Sequence, residues 1–144
     1  MTIWHIPEFD AAVLTRFGED SMPGHLGIVF TERGENWLEA TMPVDRRTHQ
    51  PFGRLHGGAS VALAETVAST AGAMTHDPAQ KVVVGLEINA NHLRPVRDGL
   101  VTARATAEAL GRTTQVWTIR VTDERGKLVC LSRITLAVIA VERA

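Results

Sequence analysis

The sequence contains a single cysteine and no long apolar run. One cysteine in 144 residues, Cys130, allows neither a disulfide within the chain nor a cysteine-rich zinc site. Its apolar neighbours favour a buried packing role, and a chain without disulfides suits a reducing compartment, so we expect a cytoplasmic protein. No stretch approaches the roughly 18 apolar residues of a membrane span, and the first residues lack the pattern of a signal peptide. We therefore expect no membrane association.

Several signals of nucleic-acid binding and of common catalytic sites are also missing. Lysine and arginine are scattered and the formal net charge is −1, which argues against a nucleic-acid partner. The sequence has no GxSxG elbow for a serine nucleophile and no phosphate-binding Walker loop. His49 and His56 are separated by a proline and a glycine, a spacing that suits no common metal motif, so we expect neither a metal site nor a cofactor.

What is present is typical of a globular protein. The 144 residues, 44% of them apolar and 22% charged, suit one compact domain, which we expect to span residues 1–144. Residues 7–17 predict a short amphipathic helix, because their apolar side chains recur at helical spacing. The residues of that apolar side are Phe9, Val13, Leu14 and Phe17.

Most of the remaining chain predicts strands joined by short turns. The predicted strands cover residues 25–31, 37–43, 81–94, 100–110, 113–123 and 127–141. Between the second and third strands, residues 58–75 are rich in alanine and free of proline, which predicts a helix. Short turns imply antiparallel neighbours. The predicted fold class is α+β, with about six strands in one antiparallel sheet wrapped around one long central helix at about 57–75. Such a sheet leaves edges and an outer face to cover, so we expect a homo-oligomer.

The start of this helix combines several groups that could act on a substrate. Gly57 and Gly58 lack a Cβ, so their backbone N–H groups can approach a ligand closely. The first N–H groups of a helix have no intrahelical acceptor, and the helix dipole is positive there, which suits a phosphate or an oxyanion. Gln50 and His56 precede the pair in a polar connection and could supply side-chain donors, or could only support the loop.

Glu65 is an unusual residue for this helix. It is the only acidic residue between Val61 and Thr75, and most of its neighbours are apolar or small. A carboxylate in such a setting suits a general base. Ser69 follows four residues later and shares its face of the helix. The alternative interpretation is a solvated charge on an exposed face.

Taken together, these residues resemble a known family, the hotdog-fold acyl-CoA thioesterases. The resemblance rests on HQPFGRLHGGAS (residues 49–60) and AET (64–66), with shorter matches across nearly the whole chain. Those shorter matches are HLGI (25–28), MPVD (42–45), GLEINA (85–90) and HLRPV (92–96). The sequence is most similar to the branch that contains one type of 4-hydroxybenzoyl-CoA thioesterase, the 1,4-dihydroxy-2-naphthoyl-CoA hydrolase of menaquinone synthesis and the proofreading thioesterase of enterobactin synthesis.

The resemblance implies a catalytic role for five residues. Glu65 would attack the thioester or activate water, while Gln50 and the Gly57 N–H would polarise the thioester carbonyl. His56 would position the thioester or support the loop, and Ser69 would orient the hydrolytic water. In this family the carboxylate and the Gln/His loop come from different subunits of a dimer, and two such dimers commonly form a tetramer.

The resemblance also implies where coenzyme A would bind. Gly58 would line the site, and the pantetheine arm would lie along residues 89–95, beginning at Asn89. His92 and Arg94 would lie near the nucleotide phosphates. The expected substrate is an acyl-CoA or acyl-carrier-protein thioester with an aryl or related acyl group, and coenzyme A is part of that substrate rather than a cofactor.

Two alternatives remain open from the sequence. A hotdog hydratase or dehydratase acting on acyl thioesters would use His56 with Glu65 as acid and base. A non-catalytic module that binds acyl-CoA would have no need of Glu65 on an apolar helix. The sequence does not identify the acyl group.

Overall fold

The computed structural model describes residues 2–142. Its elements in chain order are α1 (Ala11–Phe17), α2 (Met22–His25), β1 (Val29–Arg33), β2 (Trp37–Pro43), α3 (Gly57–Met74), β3 (Lys81–His92), β4 (Leu100–Leu110), β5 (Thr114–Thr122) and β6 (Leu128–Ala140). In this part of the chain no helix is long and apolar enough to cross a membrane.

The six strands form one antiparallel sheet in the order β1-β2-β4-β5-β6-β3. β2 alternates buried and half-buried residues along its length, because successive side chains point to opposite faces. β3 pairs with β6 through a register shift between Gly85 and Glu87 and forms one edge of the sheet. The predicted α+β class and the six-stranded antiparallel sheet are confirmed.

The long helix α3 packs across one face of this sheet and contacts five of its strands, β2 to β6. Its buried side is made mainly of small residues, which let the sheet approach the helix axis closely. Its buried residues are Ala59, Ser60, Leu63, Ala64, Val67, Ala68, Ala71 and Gly72. A Cβ at Gly72 would lie 2.6 Å from Leu136 and 2.7 Å from Gln115, so glycine is needed for this packing. The predicted central helix is therefore confirmed.

The N-terminal segment differs from its prediction in two ways. Helix α1 begins at Ala11 rather than at residue 7, because the Asp10 carboxylate accepts the N–H groups of Ala12 and Val13 and caps the helix there. The predicted apolar side is also wrong in part, since Phe17 is 94% exposed.

The predicted strand at residues 25–31 is wrong in its first half. Met22–His25 forms the short helix α2, and Gly27 then turns the chain with a φ of 72°, a conformation that glycine adopts without strain. The strand starts only at Val29. The local reason is a helix start, because Ser21 is the N-cap residue and Pro23 lies in the first turn.

Candidate active site

The polar connection between β2 and α3 is held by hydrogen bonds at both ends. Thr48 is buried, its hydroxyl donates to the Pro43 carbonyl at 2.7 Å, and its own carbonyl accepts the His56 N–H at 2.8 Å. Arg47 donates to the Asp45 carboxylate, and this bond lowers the pKa of that carboxyl to about 2. The connection therefore reaches the start of α3 in a defined conformation.

A tight turn at the tip of this connection fixes the Gln50 side chain. The Gln50 N–H donates to the Arg54 carbonyl at 2.7 Å, and Gly53, with a φ of 75°, closes the turn. The Phe52 N–H donates to Oε1 of Gln50. Because an N–H can only donate, the atom of the Gln50 amide that faces Phe52 must be the oxygen. The other atom of the amide is therefore the NH₂ nitrogen. Within residues 2–142 this NH₂ has no acceptor.

His56 is the N-cap of α3, and its Nδ1 accepts the Gly58 N–H at 2.8 Å. Since Nδ1 is the acceptor, the proton of the neutral ring lies on Nε2. The N–H groups of Ala59 and Ser60 both donate to the His56 carbonyl. The Gly57 N–H, at the positive end of the helix dipole, has no acceptor among the described residues.

A cavity of about 420 Å³ brings Gln50 and Gly57 together, and His92 and Arg94 also line it. A Cβ at Gly57 would lie 2.9 Å from Nε2 of His92, so the glycine allows the end of β3 to approach the helix start. Two neutral donors that line one cavity at a helix N-terminus are the arrangement that a developing oxyanion requires. We call this space the oxyanion cavity.

Glu65 and Ser69 line a different cavity of about 550 Å³, together with Gly58 and with Met22 and Pro23 of α2. Both residues are half-buried and lie four residues apart on one side of α3. Within the described residues neither carboxylate oxygen of Glu65 has a hydrogen-bond partner. We call this space the carboxylate cavity. In one chain, therefore, the Glu65 carboxylate and the Gly57 N–H line separate cavities.

His56 lines neither the oxyanion cavity nor the carboxylate cavity. It is exposed and lines a smaller cavity of about 230 Å³, which shares Met22, Gly58 and Ala62 with the carboxylate cavity. In residues 2–142 no group of three or more His, Cys, Asp or Glu side chains could hold a metal ion.

Asn89 lines neither of the two main cavities. It is exposed, and its amide donates to Glu87 at 3.2 Å. Ile88 and Ala90, its neighbours on β3, pack against the core, so Asn89 lies on the opposite face of the sheet from α3. The structure brings the other predicted site residues to the cavities and leaves Asn89 apart, where its predicted role stays a prediction.

A cleft of about 640 Å³ adjoins the oxyanion cavity and is lined by four arginines, Arg54, Arg94, Arg97 and Arg125. The first two line both spaces, so the cleft and the oxyanion cavity share a wall. Three carboxylates, Asp98, Asp123 and Glu124, also line the cleft. The carboxylates of Asp123 and Glu124 accept hydrogen bonds from backbone N–H groups. Among the described residues none of the four arginines forms an ion pair.

Three residues near Glu65 are absent from the predicted site: Met22 and Pro23 line the carboxylate cavity, and Gly85 faces the carboxylate. Met22 and Pro23 lie between the predicted helix at 7–17 and the predicted strand at 25–31, and Gly85 lies in the predicted strand at 81–94 without a predicted role. A Cβ at Gly85 would lie 2.5 Å from Oε1 of Glu65. A lone glycine inside a strand pattern is typical of a bulge or of close backbone approach, and this signal could have identified Gly85.

Comparisons with known proteins agree with this geometry. Residues 52–130 match the family model described as the thioesterase superfamily. The chain is 53% identical over 126 residues to the 1,4-dihydroxy-2-naphthoyl-CoA hydrolase of Escherichia coli, covering 88% of this chain and 92% of that one. It is 49% identical over 132 residues to the proofreading thioesterase EntH of Klebsiella pneumoniae, covering 92% and 96%. The crystal structure of a Haemophilus influenzae thioesterase matches with a TM-score of 0.94 and 54% identity, covering 99% of this chain and 98% of that one.

An antiparallel six-stranded sheet packed on one long helix, matched by thioesterase structures, defines the protein as a hotdog-fold thioesterase. The chain belongs to the thioesterase superfamily. The resemblance noted in the sequence and the predicted enzyme class are thereby confirmed.

Proposed function

We propose that this enzyme hydrolyses thioesters of coenzyme A that carry aryl or related acyl groups. The observation that carries the proposal is the pair of unused donors, the Gly57 N–H and the Gln50 NH₂, in one cavity at the N-terminus of α3. The aryl preference is supported by the named activity of the Escherichia coli relative. The proposed reaction requires no cofactor, and the buried single thiol suits a cytoplasmic enzyme.

The proposed chemistry needs only an oxyanion site and a carboxylate. The thioester carbonyl oxygen would accept hydrogen bonds from Gly57 and Gln50, and one such donor typically contributes about 3–4 kcal/mol to lowering the barrier. Glu65 would either attack the carbonyl carbon or take a proton from the water that attacks it. In both cases the C–S bond breaks and coenzyme A leaves as a thiol; if Glu65 attacks, the resulting acyl anhydride is then hydrolysed by water, which releases the carboxylic acid and restores the carboxylate. Ser69, on the same side of α3, would orient the water.

The proposed active site is shared between two copies of the chain. Glu65 lies eight residues, or slightly more than two helical turns, from Gly57, which is ~12 Å at 1.5 Å per residue, and it lines a separate cavity. A second copy that places its oxyanion cavity opposite Glu65 would bring the groups together. The apolar edge of β3 supports a homodimer, and we extend the proposal to a tetramer built from two dimers.

The nucleotide end of coenzyme A is proposed to occupy the arginine cleft. Guanidinium groups without a carboxylate partner are suited to phosphate, which they bind through two parallel hydrogen bonds. Arg54 and Arg94 line both this cleft and the oxyanion cavity, so a pantetheine arm could pass along them. An acyl-carrier protein, which presents a single phosphate, would use fewer of these arginines.

The decisive experiment compares two conservative variants in a thiol-release assay. The substrate panel is benzoyl-, 4-hydroxybenzoyl-, 1,4-dihydroxy-2-naphthoyl- and fatty acyl-CoA together with aryl-loaded carrier protein. Glu65→Gln keeps the shape of the side chain and removes its charge, and we expect kcat to fall about 10²–10⁴-fold. Glu32→Gln makes the same chemical change at an exposed position of β1 and should leave kcat unaltered.

Two results would contradict the proposal. Thiol release by Glu65→Gln close to that of the unmodified enzyme would remove the carboxylate from the mechanism. Loss of the crotonyl-CoA double bond without free thiol would instead indicate a hydratase.

A further inference from the structure

Helix α3 and strand β3 run past each other with a glycine opposite a larger side chain at three places. A Cβ at Gly72 would lie 3.2 Å from Val83, and one at Gly57 would lie 2.9 Å from His92. Between these two contacts, Gly85 of β3 lies opposite Glu65 of α3. The contact at Gly72 lies in the core, and the contact at Gly57 lies at the oxyanion cavity. The contact between them involves the Glu65 carboxylate, so its role depends on the role of Glu65.

The Glu65 carboxylate occupies the space that a side chain at position 85 would fill. An added Cβ there would lie 2.5 Å from Oε1, well inside the 3.4–4 Å of ordinary van der Waals contact. The next nearest atom is the carboxylate carbon at 3.7 Å, so no other group of the described residues constrains this position. The register of β3 against β6 also shifts immediately after Gly85.

No hydrogen bond fixes the Glu65 carboxylate within residues 2–142. Its position is therefore set by the rotamers available on α3 and by the backbone surface that it lies against. The exposed Gly85 backbone, without a Cβ, provides that surface.

We infer that Gly85 is a positioning residue for the Glu65 carboxylate. This inference rests on the proposed function, in which Glu65 acts on the thioester. Gly85 does not touch the substrate; it leaves open the space that the Glu65 carboxylate occupies. An alanine at position 85 would displace the carboxylate while leaving the fold intact.

At position 85 the structure supports a substitution that lowers activity without lowering stability. The φ of Gly85 lies outside the left-handed range, so alanine is compatible with its backbone. The atom that alanine would meet is the free end of a flexible side chain, which can rotate away. Alanine also loses less conformational entropy than glycine on folding, so stability should be maintained.

The first test is Gly85→Ala in the thiol-release assay with benzoyl-CoA. We expect kcat to fall about 100-fold, the effect of misplacing a reacting group by about 1 Å, with KM changed less than about threefold. The melting temperature should not fall. The matched control is Gly72→Ala on α3, where the added Cβ would lie 3.2 Å from Val83 of β3 and would also meet buried Leu136 and Gln115 of the neighbouring strands. That variant should melt at a lower temperature and keep its kcat per folded molecule.

The second test combines the substitutions. In a Glu65→Gln background, Gly85→Ala should cause no further loss of kcat, because there is no carboxylate left to position. In a Glu65→Asp background the side chain is shorter by one methylene, and Gly85→Ala should lower kcat less than it does in the unmodified enzyme.

The outcomes distinguish this inference from the proposed function. If Gly85→Ala keeps full kcat while Glu65→Gln is inactive, the positioning role is overturned and the proposed function stands. An active Glu65→Gln overturns both. If Gly85→Ala lowers kcat equally in the unmodified enzyme and in the Glu65→Asp background, and also lowers the melting temperature, positioning is overturned in favour of a purely structural role.

Discussion

The imidazole of His56 uses one nitrogen to stabilise α3 and leaves the other available. Nδ1 accepts the Gly58 N–H at 2.8 Å, and this is the cap that the helix start requires. The proton on Nε2 has no acceptor among the described residues. Stability and substrate contact can therefore be separated, because they depend on different atoms of one ring.

Two substitutions at position 56 should separate these effects. His56→Ala removes the cap and should lower the free energy of unfolding by about 1 kcal/mol, whereas His56→Asn supplies a capping oxygen and should retain it. Both lose the Nε2–H donor, so we expect thiol release to fall similarly in the two variants. Urea denaturation and the thiol-release assay measure the two quantities. Full activity in His56→Asn would show that His56 acts only as the cap.

The lone cysteine illustrates what single residues reveal without a structure. The apolar neighbours of Cys130 predict a buried packing residue, and it is fully buried in β6. Burial also raises the pKa of its thiol, which makes a thiolate nucleophile unfavourable there. That prediction needs only local composition, and it is confirmed.

At the scale of elements, the C-terminal end of α3 is joined to β5 by a buried amide. The Gln115 NH₂ donates to the Thr75 hydroxyl at 2.9 Å and lies 3.2 Å from Nε2 of His76. Its oxygen accepts the Trp117 indole N–H at 2.9 Å. An amide NH₂ can only donate, so Nε2 of His76 must be the acceptor and the ring must be neutral.

This contact predicts a specific loss of stability in acid. Desolvation by burial lowers the pKa of His76, and the positive charges of Lys81 and His5 lower it further. A group whose folded pKa is depressed contributes stability that is present above its unfolded pKa, about 6.5 for histidine, and that is lost as pH falls through the folded value. The melting temperature should therefore fall below about pH 6.5.

His76→Gln is the matched variant, because its amide can still accept from Gln115 and does not titrate. Melting temperatures measured from about pH 7.5 to about pH 5, a range that spans the histidine titration, should fall less steeply in this variant than in the unmodified protein. Parallel curves for the two proteins would show that His76 contributes nothing to the acid sensitivity.

Elements with a strong local pattern could be predicted, and those set by distant contacts could not. The alanine-rich run predicts α3 nearly to its ends, since helix propensity summed over many residues is decisive. The predicted apolar face of α1 includes Phe17, which is exposed, because periodicity alone does not say where the sheet lies. Helix α2 is a single turn and leaves almost no periodic signal.

The sequence indicates candidate residues for the site but not their arrangement. The chemistry of Gln50, Gly57 and Glu65 makes them candidates, and the family resemblance suggests their roles. In the structure Gln50 and Gly57 share one cavity, and Glu65 lines another. This arrangement depends on the turn of the loop at Gly53 and on the approach of β3 to the helix. Asn89 shows the same limit, because a position in a strand does not reveal which face of the sheet is inward.

At the scale of the whole molecule, the sheet of one chain ends at β3, which pairs only with β6 in the described residues. Three apolar side chains of this strand, Val82, Val84 and Leu86, are 43–62% exposed. An exposed apolar edge with unpaired backbone groups favours pairing with another strand, and a twofold axis would pair β3 with β3 of a second copy. Two identical shared active sites would then follow from the symmetry.

Mixing two inactive variants tests whether the active site is shared. Gln50→Ala lacks one of the proposed oxyanion donors and Glu65→Gln lacks the proposed catalytic carboxylate, so each should be nearly inactive alone. In a dimer that contains one chain of each, one site draws its intact Gln50 and its intact Glu65 from different chains, and the other site has neither. Random pairing makes about half of the dimers mixed, so co-expression should restore about one quarter of the unmodified specific activity.

The measurement is thiol release by the co-expressed pair, purified through two different affinity tags so that mixed dimers can be isolated. Isolated mixed dimers should then reach about half of the unmodified activity per chain, because one of their two sites is complete. The control is the same procedure with two differently tagged Glu65→Gln chains, which should stay inactive. If the site lay within one chain, every site in the mixed dimer would carry one defect, and no activity would return.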